Sequence, residues 1–331
     1  MNAVLTRILT FALTSVVIYA GIAGTLIVVG KPRRPHDPEE GFSFDELFFD
    51  TSNLPELQTF EARDGATLSY RHYSADANRI WVLLHGSGYH SSYLLPLAEY
   101  VSAENLAHVY TPDLRGHGPA PLRRGDIDYI DQLEDDVADL LAVIRQEHPD
   151  ATLIVGGHSS GGGLAVRFAG SQYGQQADAY LLMAPFLKYN APTTRPNSGG
   201  WARAYTPRIA GLTMLNNVGI HWFDHLTAID FHMPEEARDG TETLAYTHRL
   251  NTGFAPRNYK KDLSVITQPL LVIAGTDDEG FHGDKYEPVI SQYTEAQVEL
   301  LDGVTHMGSV VGPSVRPIVS AWLENIAERR T

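Results

Sequence analysis

Two kinds of hydrophobic pattern alternate along most of the chain. Short and nearly continuous apolar runs, such as RIWVLLHG (79–86), ATLIVGG (151–157) and PLLVIAG (269–275), are separated by longer amphipathic segments. In one such segment, DYIDQLEDDVADLLAVIRQEH (128–148), apolar residues recur every three or four positions, which predicts a helix. Continuous apolar runs are typical of strands that are buried on both faces. The alternation therefore predicts an α/β fold in which helices cover both faces of a mostly parallel sheet.

A hairpin and further elements complete this pattern. Residues 58–62 and 67–73 alternate between polar and apolar positions and flank the turn signal RDGA, so they predict a β-hairpin. Further strands are predicted at AHVYTPD (107–113), DAYLLMAP (178–185) and VELLDG (298–303). Helices are predicted at SYLLPLAEYVSAEN (92–105), GGLAVRFAGSQY (162–173) and SVRPIVSAWLENIAERR (314–330). We therefore assign the α/β core to residues 58–186 and 259–331.

One long segment, residues 187–258, interrupts the alternation and holds no obvious strand. It is rich in large apolar side chains: Tyr189, Trp201, Tyr205, Met214, Trp222, Phe223, Phe231 and Met233. A long insertion in a compact α/β domain is usually functional. We expect a helical cap whose inner face lines an apolar pocket. The alternative is an ordinary helical subdomain that buries these side chains in a core of its own.

The N-terminus carries a separate hydrophobic signal. Residues 8–29 form 22 consecutive positions without a charge, and a helix needs about 20 apolar residues to cross a bilayer. We expect residues 1–30 to be an uncleaved transmembrane anchor, followed by a linker over residues 31–57. The alternative is a signal peptide that is cleaved near YAGIAG (19–24), but the apolar stretch TLIVV continues beyond that site.

The flanking charges bear on membrane orientation. Arg7 precedes the apolar stretch, whereas Lys31, Arg33 and Arg34 follow it. This excess of positive charge favours the cytoplasmic face for the body of the protein. Cleavage of the N-terminus would instead give a secreted or periplasmic protein.

Composition excludes several classes of function. The chain has 331 residues, of which 43% are hydrophobic, and a formal net charge of −15. Its body has no basic patch, so a nucleic-acid partner is not expected. Because there is no cysteine, disulfides, a thiolate nucleophile and a cysteine-ligated zinc site are all impossible.

The glycine-rich stretch LIVGGHSSGGG (153–163) is the strongest candidate for chemistry. It lacks the Lys-Ser/Thr pair of a phosphate-binding loop. It lies between a predicted strand and a predicted helix, and it fits the G-x-S-x-G pattern of a sharp nucleophile turn centred on Ser159. Gly157 and Gly161 would be the two small flanking residues that such a turn requires. Ser160 would offer its backbone N–H to an oxyanion at the N-terminus of the helix.

A serine nucleophile needs a base and an acid, which follow later in the chain in folds of this kind. His306 comes just after the predicted strand VELLDG and is the expected base, with His282 and His158 as rivals. His158 should face away from the site if the turn is correct. Asp278 and Asp277 both follow the strand PLLVIAG. We favour Asp278 as the acid and keep Asp277 as the alternative.

The second oxyanion donor is expected after the strand that ends in LLHGSGYHS (83–91). We assign it to the backbone N–H of Ser87. Gly86 and Gly88 on either side would let the backbone approach the substrate closely.

These motifs together resemble the α/β-hydrolase superfamily, and more narrowly its branch of monoacylglycerol lipases, lysophospholipases and serine aminopeptidases S33. The resemblance covers about residues 58–328 and depends on LLHGSG, TPDLRGHG, GGHSSGG, PLLVIAGTDDE and GVTHMG, in that order. It implies that the acid lies three residues after Gly275, which selects Asp278, and that DLRGHG is structural. The chain departs from the family at Ser87, where an apolar residue is usual. Its cap matches no subfamily, so substrate specificity does not carry over.

The expected activity is hydrolysis of carboxylic esters through an acyl-enzyme on Ser159, with no metal or organic cofactor. Neutral acyl lipids such as a monoacylglycerol or a lysophospholipid are the expected substrates, and the membrane is reached through residues 8–29. One alternative is a peptidase of the proline-iminopeptidase type, which would need Glu235, Glu236 or Asp239 to bind a free amine. A second alternative is a non-catalytic binding scaffold.

Overall fold

The computed structural model describes residues 3–32 and 41–326, so Arg33 and Arg34 of the predicted flank lie outside the described residues. Its strands are β1 Gln58–Glu61, β2 Thr67–Tyr73, β3 Arg79–Leu84, β4 His108–Pro112, β5 Thr152–His158, β6 Ala179–Met183, β7 Ala202–Ala204, β8 Thr227–Phe231, β9 Ala245–Thr247, β10 Leu270–Gly275 and β11 Gln297–Leu301. Its helices are α1 Ala3–Val29, α2 Leu95–Ala103, α3 Gln132–Glu147, α4 Ser160–Ala169, α5 Thr206–Asn216, α6 His248–Phe254, α7 Tyr259–Ser264, α8 Tyr286–Ile290, α9 Gly308–Val311 and α10 Arg316–Asn325.

Eight strands form the central sheet, in the order β1-β2-β4-β3-β5-β6-β10-β11. The six strands from β4 to β11 in that order pair in parallel, whereas β1 and β2 form the predicted antiparallel hairpin. Strand β2 joins the rest of the sheet through an antiparallel pairing with β4. The predicted α/β fold with a mostly parallel sheet is therefore confirmed.

The sheet is buried on both faces, as its apolar runs predicted. Every residue of β5 is buried, and so is every residue of β6 and β10. One face packs against α3 and α4 in a core that includes Val155, Leu140 and Phe168. The other face packs against α2 and α10 in a second core that includes Ile154 and Trp322. Both cores leave the carboxyl ends of the parallel strands as the edge at which a site can form.

The insertion at residues 187–258 is not purely helical, so that part of our expectation was wrong. Strands β7, β8 and β9 form a separate antiparallel sheet, and helices α5 and α6 accompany it. These strands are only three to five residues long, and the pairing of β8 with β9 is irregular between Thr227 and Ile229. Strands this short do not extend over enough residues for a period of two to stand out in the sequence.

Helix α1 packs against the insertion rather than standing apart from it. The Tyr19 hydroxyl donates to the carbonyl oxygen of Met214 at 2.7 Å, and the Arg208 guanidinium donates to that of Ile27 at 3.3 Å. A Cβ atom added at Gly211 would lie 2.6 Å from the carbonyl oxygen of Ala23, so the two backbones approach closely. From Arg208 to Met214 along α5, the contacted residues of α1 decrease in residue number from Ile27 to Tyr19. The two helices are therefore antiparallel.

Helix α1 is also long and apolar enough to cross a membrane, by length and composition. Among the described residues it is the one helix that meets this test. Its residues 3–18 are all exposed, and its contacts with α5 lie between Tyr19 and Gly30. The helix therefore has a free N-terminal half and a C-terminal half that is packed on one side.

Candidate active site

Ser159 occupies a sharp turn between β5 and α4. Its backbone has φ of +55° and ψ of −120°, a strained conformation for a residue with a side chain. The flanking glycines are required by space. A Cβ atom at Gly157 would lie 2.4 Å from the carbonyl carbon of Gly161, and one at Gly161 would lie 2.4 Å from the carbonyl oxygen of His85. The G-x-S-x-G sequence thus encodes the sharp turn that holds Ser159 between strand and helix.

A small cavity opens beside this turn. Ser159, His306, Ser87 and Gly86 all line it. Its remaining walls are largely aromatic or apolar: Phe42, Phe44, Tyr89, Tyr93, Trp201 and Met307, with His158 beneath. Ser159 itself is only 6% exposed.

Asp278 and His306 are brought together at the carboxyl ends of β10 and β11. The Nδ1 atom of His306 lies 2.9 Å from Oδ2 of Asp278, and both residues are 1% exposed. The other carboxylate oxygen of Asp278 accepts hydrogen bonds from the backbone N–H groups of Gly280 and Phe281, each at 2.8 Å. Asp277 is exposed and does not contact His306. Of the two candidate acids, only Asp278 has the geometry to orient the imidazole.

The loop after β3 is fixed on both sides of Ser87. The N–H of Gly86 donates to the Tyr93 hydroxyl at 2.6 Å, and the N–H of Gly88 donates to the Tyr246 hydroxyl at 2.9 Å. The N–H of Ser87 has no acceptor among the described residues. Ser160 is the first residue of α4, so its N–H has no partner within the helix. Ser87 and Ser159 line the same cavity, and Ser160 follows Ser159 in the chain, so both N–H groups belong to residues at or next to the site.

The polar side chain at Ser87 has a specific partner. Its hydroxyl oxygen accepts a hydrogen bond from the indole N–H of Trp201 at 3.1 Å. Trp201 belongs to the insertion, just before β7, so this bond joins the insertion to the loop after β3. Ser87, which departs from the family pattern, thus has a polar partner in Trp201. The sequence had indicated only that Trp201 belongs to an apolar surface of the insertion.

His158 lies under the site, so our expectation that it would face away was wrong. Its ring centroid is 4.5 Å from that of His306. Its two nitrogens are occupied, by the carbonyl oxygen of His306 at 3.1 Å and the Tyr93 hydroxyl at 3.0 Å. Complete burial holds the pKa of His158 well below its usual value, which keeps the ring neutral. His158 is therefore a structural link and has no free nitrogen with which to act as a base.

The DLRGHG motif supports the loop after β3, in line with its structural role. The backbone N–H of Leu114 donates to Nε2 of His85 at 3.1 Å. The His117 ring lies 2.5 Å from the same Tyr246 hydroxyl that holds Gly88. Burial lowers the pKa of His85 to about 4 and that of His117 well below its usual value, so both rings stay neutral and can accept these bonds.

Other predicted residues lie away from the cavity. His282 is a half-buried residue that does not line it, and Glu235, Glu236 and Asp239 are exposed on the insertion. No cluster of three or more His, Asp or Glu side chains is arranged to bind a metal ion in the part of the chain that the structure describes.

Sequence reasoning missed the aromatic contacts of the site. The Phe42 ring centroid lies 4.3 Å from that of His306, although Phe42 was assigned to a linker. Tyr93 and Tyr246 were not singled out, because a tyrosine in a helical pattern or a short strand carries no signal for the distant backbone N–H that it binds.

This architecture, a strained serine after the fifth strand of a mostly parallel sheet with a buried Asp–His pair beside it, defines an α/β-hydrolase fold. A family model described as serine aminopeptidase, S33, matches residues 75–308. The chain therefore belongs to this family of α/β hydrolases.

Individual relatives agree with this assignment. A monoacylglycerol lipase of Mycolicibacterium smegmatis is 31% identical over 110 residues, which are 33% of this chain and 39% of that lipase. A soluble variant of monoglyceride lipase from Saccharomyces cerevisiae, solved with a substrate analog, aligns with a TM-score of 0.64 at 19% identity, covering 86% of this chain and 99% of that one. The monoacylglycerol lipase of Paleococcus ferrophilus aligns with a TM-score of 0.54 at 18% identity, covering 77% and 98%. At such identities the two structures support the fold alone.

Proposed function

We propose that this protein is a serine hydrolase that cleaves carboxylic esters through an acyl-enzyme. The observation that carries the proposal is the buried hydrogen bond between His306 and Asp278, in which His306 also lines the cavity that holds Ser159 on its strained turn. Nucleophile, base and acid follow one another in the chain in the order that this fold uses.

In the proposed mechanism, His306 removes the proton from the Ser159 hydroxyl as the oxygen attacks the ester carbonyl carbon. Asp278 keeps the Nδ1 proton of His306 in place, so Nε2 is free to accept, and it stabilises the imidazolium that forms. The tetrahedral intermediate collapses when His306 gives the proton to the leaving alcohol. Water then attacks the acyl-enzyme, with His306 again as the base, and releases the acid and free Ser159.

The oxyanion of each tetrahedral intermediate would be stabilised by the backbone N–H groups of Ser87 and Ser160. Each such donor contributes about 3 kcal/mol to transition-state stabilisation in enzymes where it has been removed. The fixed neighbours of Ser87 support this role, because Gly86 and Gly88 are held by tyrosine hydroxyls and hold the loop in place.

The proposed substrates are neutral acyl lipids such as a monoacylglycerol or a lysophospholipid. Two features support them: the aromatic and apolar lining of the cavity, and the family relationship to monoacylglycerol lipases. The exposed positions of Glu235, Glu236 and Asp239 do not favour a peptidase, because these carboxylates lie outside the cavity that holds Ser159. We propose that residues 187–258 act as the cap over a core formed by residues 58–186 and 259–331.

We also propose that α1 is a retained membrane anchor with the body of the protein on the cytoplasmic face. The close approach of Gly211 to Ala23 and the bonds from Tyr19 and Arg208 support retention. A signal peptide that is removed would have no need of a complementary surface on the mature protein.

The test is hydrolysis by the full-length protein in detergent micelles. Substrates would be a 4-nitrophenyl ester series from acetyl to palmitoyl, a monoacylglycerol, a lysophospholipid and a proline arylamide. We expect ester turnover that falls by roughly 10⁶-fold in Ser159→Ala. The matched control is Ser160→Ala. This substitution removes the hydroxyl of residue 160 but keeps its backbone N–H, so turnover should be retained. Arylamide turnover without ester turnover would indicate a peptidase, and activity that survives Ser159→Ala would overturn the proposal.

A further inference from the structure

Residues 41–49, here called the strap, form part of the wall of the cavity. The Phe42 ring lies over the His306 imidazole at 4.3 Å between centroids and stacks on Trp201 at 5.3 Å. The Phe44 ring packs on the same indole at 5.6 Å. Both phenyl rings line the cavity that holds Ser159. A segment that precedes the α/β core in the sequence thus supplies two walls of its site.

One carboxylate fixes the strap to the loop that carries His306. The backbone N–H of Ser43 donates to Oε1 of Glu279 at 2.9 Å, and the backbone N–H of His306 donates to Oε2 at the same distance. A second link joins Oε2 of Glu46 to the Thr305 hydroxyl at 2.7 Å. The position of the strap relative to His306 is therefore set by specific bonds as well as by apolar contact.

The loop after Asp278 is shaped to receive Phe42. A Cβ atom at Gly280 would lie 2.7 Å from the Phe42 ring, so any larger residue there would collide with it. Phe42 and Phe44 are both buried, in a small core with Trp201 and Met233. By contrast Phe48, in the same strap, is 63% exposed. The packing thus singles out two of the strap's aromatic residues.

Chemistry decides which part of a substrate would meet Phe42. In the acylation step His306 gives its proton to the leaving oxygen, so the alcohol part of the ester must lie against the imidazole. The surface next to His306 therefore contacts the alcohol and not the acyl chain. An uncharged aromatic surface also disfavours a phosphate-bearing alcohol, because burying an ionised group without a partner is costly.

We propose that Phe42 is a specificity-determining residue that limits the alcohol part of the ester to a small, uncharged group such as glycerol. The inference rests on the proposed ester hydrolysis. Of the two proposed types of substrate, it favours a monoacylglycerol over a lysophospholipid, whose head group is charged. It also gives the strap a role in the site rather than that of a tether.

The experiment varies the alcohol at a constant acyl chain. Methyl, glyceryl and benzyl decanoate, and a decanoyl lysophosphatidylcholine, would be assayed with the full-length protein and with its Phe42→Ala, Phe42→Leu and Phe48→Ala variants. We expect Phe42→Ala to raise kcat/KM for the benzyl and phosphocholine esters about 10-fold relative to the methyl ester. Phe42→Leu should restore part of the discrimination, and Phe48→Ala should leave it unchanged.

The outcomes separate this inference from the proposed function. If the wild-type protein hydrolyses none of the esters, ester hydrolysis itself fails. If it hydrolyses them and Phe42→Ala changes every kcat/KM by the same factor, Phe42 has only a structural role and the inference is wrong. The rate of Ser159 labelling by a small fluorophosphonate, measured on each variant, would report whether the nucleophile remains intact.

Discussion

His158 is bonded to the main chain of His306, with 3.1 Å between its Nε2 atom and the His306 carbonyl oxygen. A carbonyl oxygen only accepts, so Nε2 carries the proton and Nδ1 accepts from the Tyr93 hydroxyl. That hydroxyl in turn accepts from the N–H of Gly86. One chain of buried hydrogen bonds therefore connects the loop that carries Ser87 with the loop that carries the proposed base.

This chain predicts energetic coupling between Tyr93 and His158. Tyr93→Phe leaves the buried N–H of Gly86 without its acceptor, which should cost about 1–3 kcal/mol of unfolding free energy and lower kcat. His158→Leu should have a similar effect. The double variant should lose less unfolding free energy than the two single variants lose together, by about 0.5 kcal/mol or more. Denaturant unfolding and kcat would be measured on all four proteins of the cycle.

The control for this cycle is Tyr100→Phe. The Tyr100 hydroxyl bonds to Ser320 at 2.9 Å, away from the cavity, so its loss should leave kcat unchanged. Strictly additive effects of Tyr93→Phe and His158→Leu would show that the two side chains act independently.

A second prediction separates the adjacent aspartates. Asp278→Asn should lower kcat by about 10⁴-fold with little change in KM, because the amide favours the wrong tautomer of His306. Asp277→Asn is matched in chemistry and differs in position by one residue, and it should lower kcat by less than roughly twofold, since surface substitutions rarely disturb distant groups. Steady-state kinetics on one ester would suffice. Equal losses in the two variants would contradict the assignment of the acid.

A third prediction concerns stability at acid pH. The rings of His72 and His108 are in contact, with 3.2 Å between Nε2 and Nδ1, and burial lowers the pKa of His72 from 6.5 to about 4. In this pH range His72 binds a proton in the unfolded chain but not in the folded chain. Stability is therefore lost as the pH falls from about 6.5 to about 4.

His72→Phe keeps the stacking on Tyr110, where the ring centroids are 4.2 Å apart, and removes this titration. We expect the variant to lose roughly 1–2 kcal/mol less than the wild type between pH 7 and pH 5, measured by denaturant unfolding in detergent. His225→Phe, at an exposed position, serves as the control and should follow the wild type. Parallel pH profiles for all three proteins would exclude His72 as the source.

A fourth prediction follows from the antiparallel contact of α1 with α5. Partners on α1 run from Ile27 back to Tyr19, which is about 12 Å along the helix, so the end of α5 reaches well along the proposed membrane span. Exposed Val218, Trp222 and Phe223 follow directly after that end. Tryptophan is favoured at membrane interfaces. We therefore expect this turn to touch the bilayer.

The absence of cysteine in the chain makes this expectation easy to measure. A fluorophore that is sensitive to polarity would be attached to Val218→Cys in the full-length protein reconstituted into phosphatidylcholine vesicles. Its emission should shift to the blue relative to the same label at Val265→Cys, an exposed position on the core. Identical spectra at the two positions would indicate that the turn stays in water.

The sequence predicted those parts of the molecule that local patterns encode. The runs around Val155 and Ile273 predicted parallel strands, and the glycines around Ser159 predicted its turn, because each is a constraint between residues close in the chain. Phe42 and Tyr246 escaped prediction, and so did the bond from Trp201 to Ser87, because the partners lie more than a hundred residues apart and nothing in a short window identifies them. The strands β7 and β9 were missed for a different reason, since three residues cannot establish a period.

The packing of the N-terminal region determines what substrate preference a shortened protein would show. Within the described residues 3–32 and 41–49, the chain touches the insertion through α1 on α5 and through Phe42 and Phe44 on Trp201. A fragment that begins at the α/β core would still contain Ser159, Asp278 and His306, yet the cleft around them would have a missing wall. Substrate preferences measured on such a fragment would describe a wider cleft than the one that the whole protein possesses.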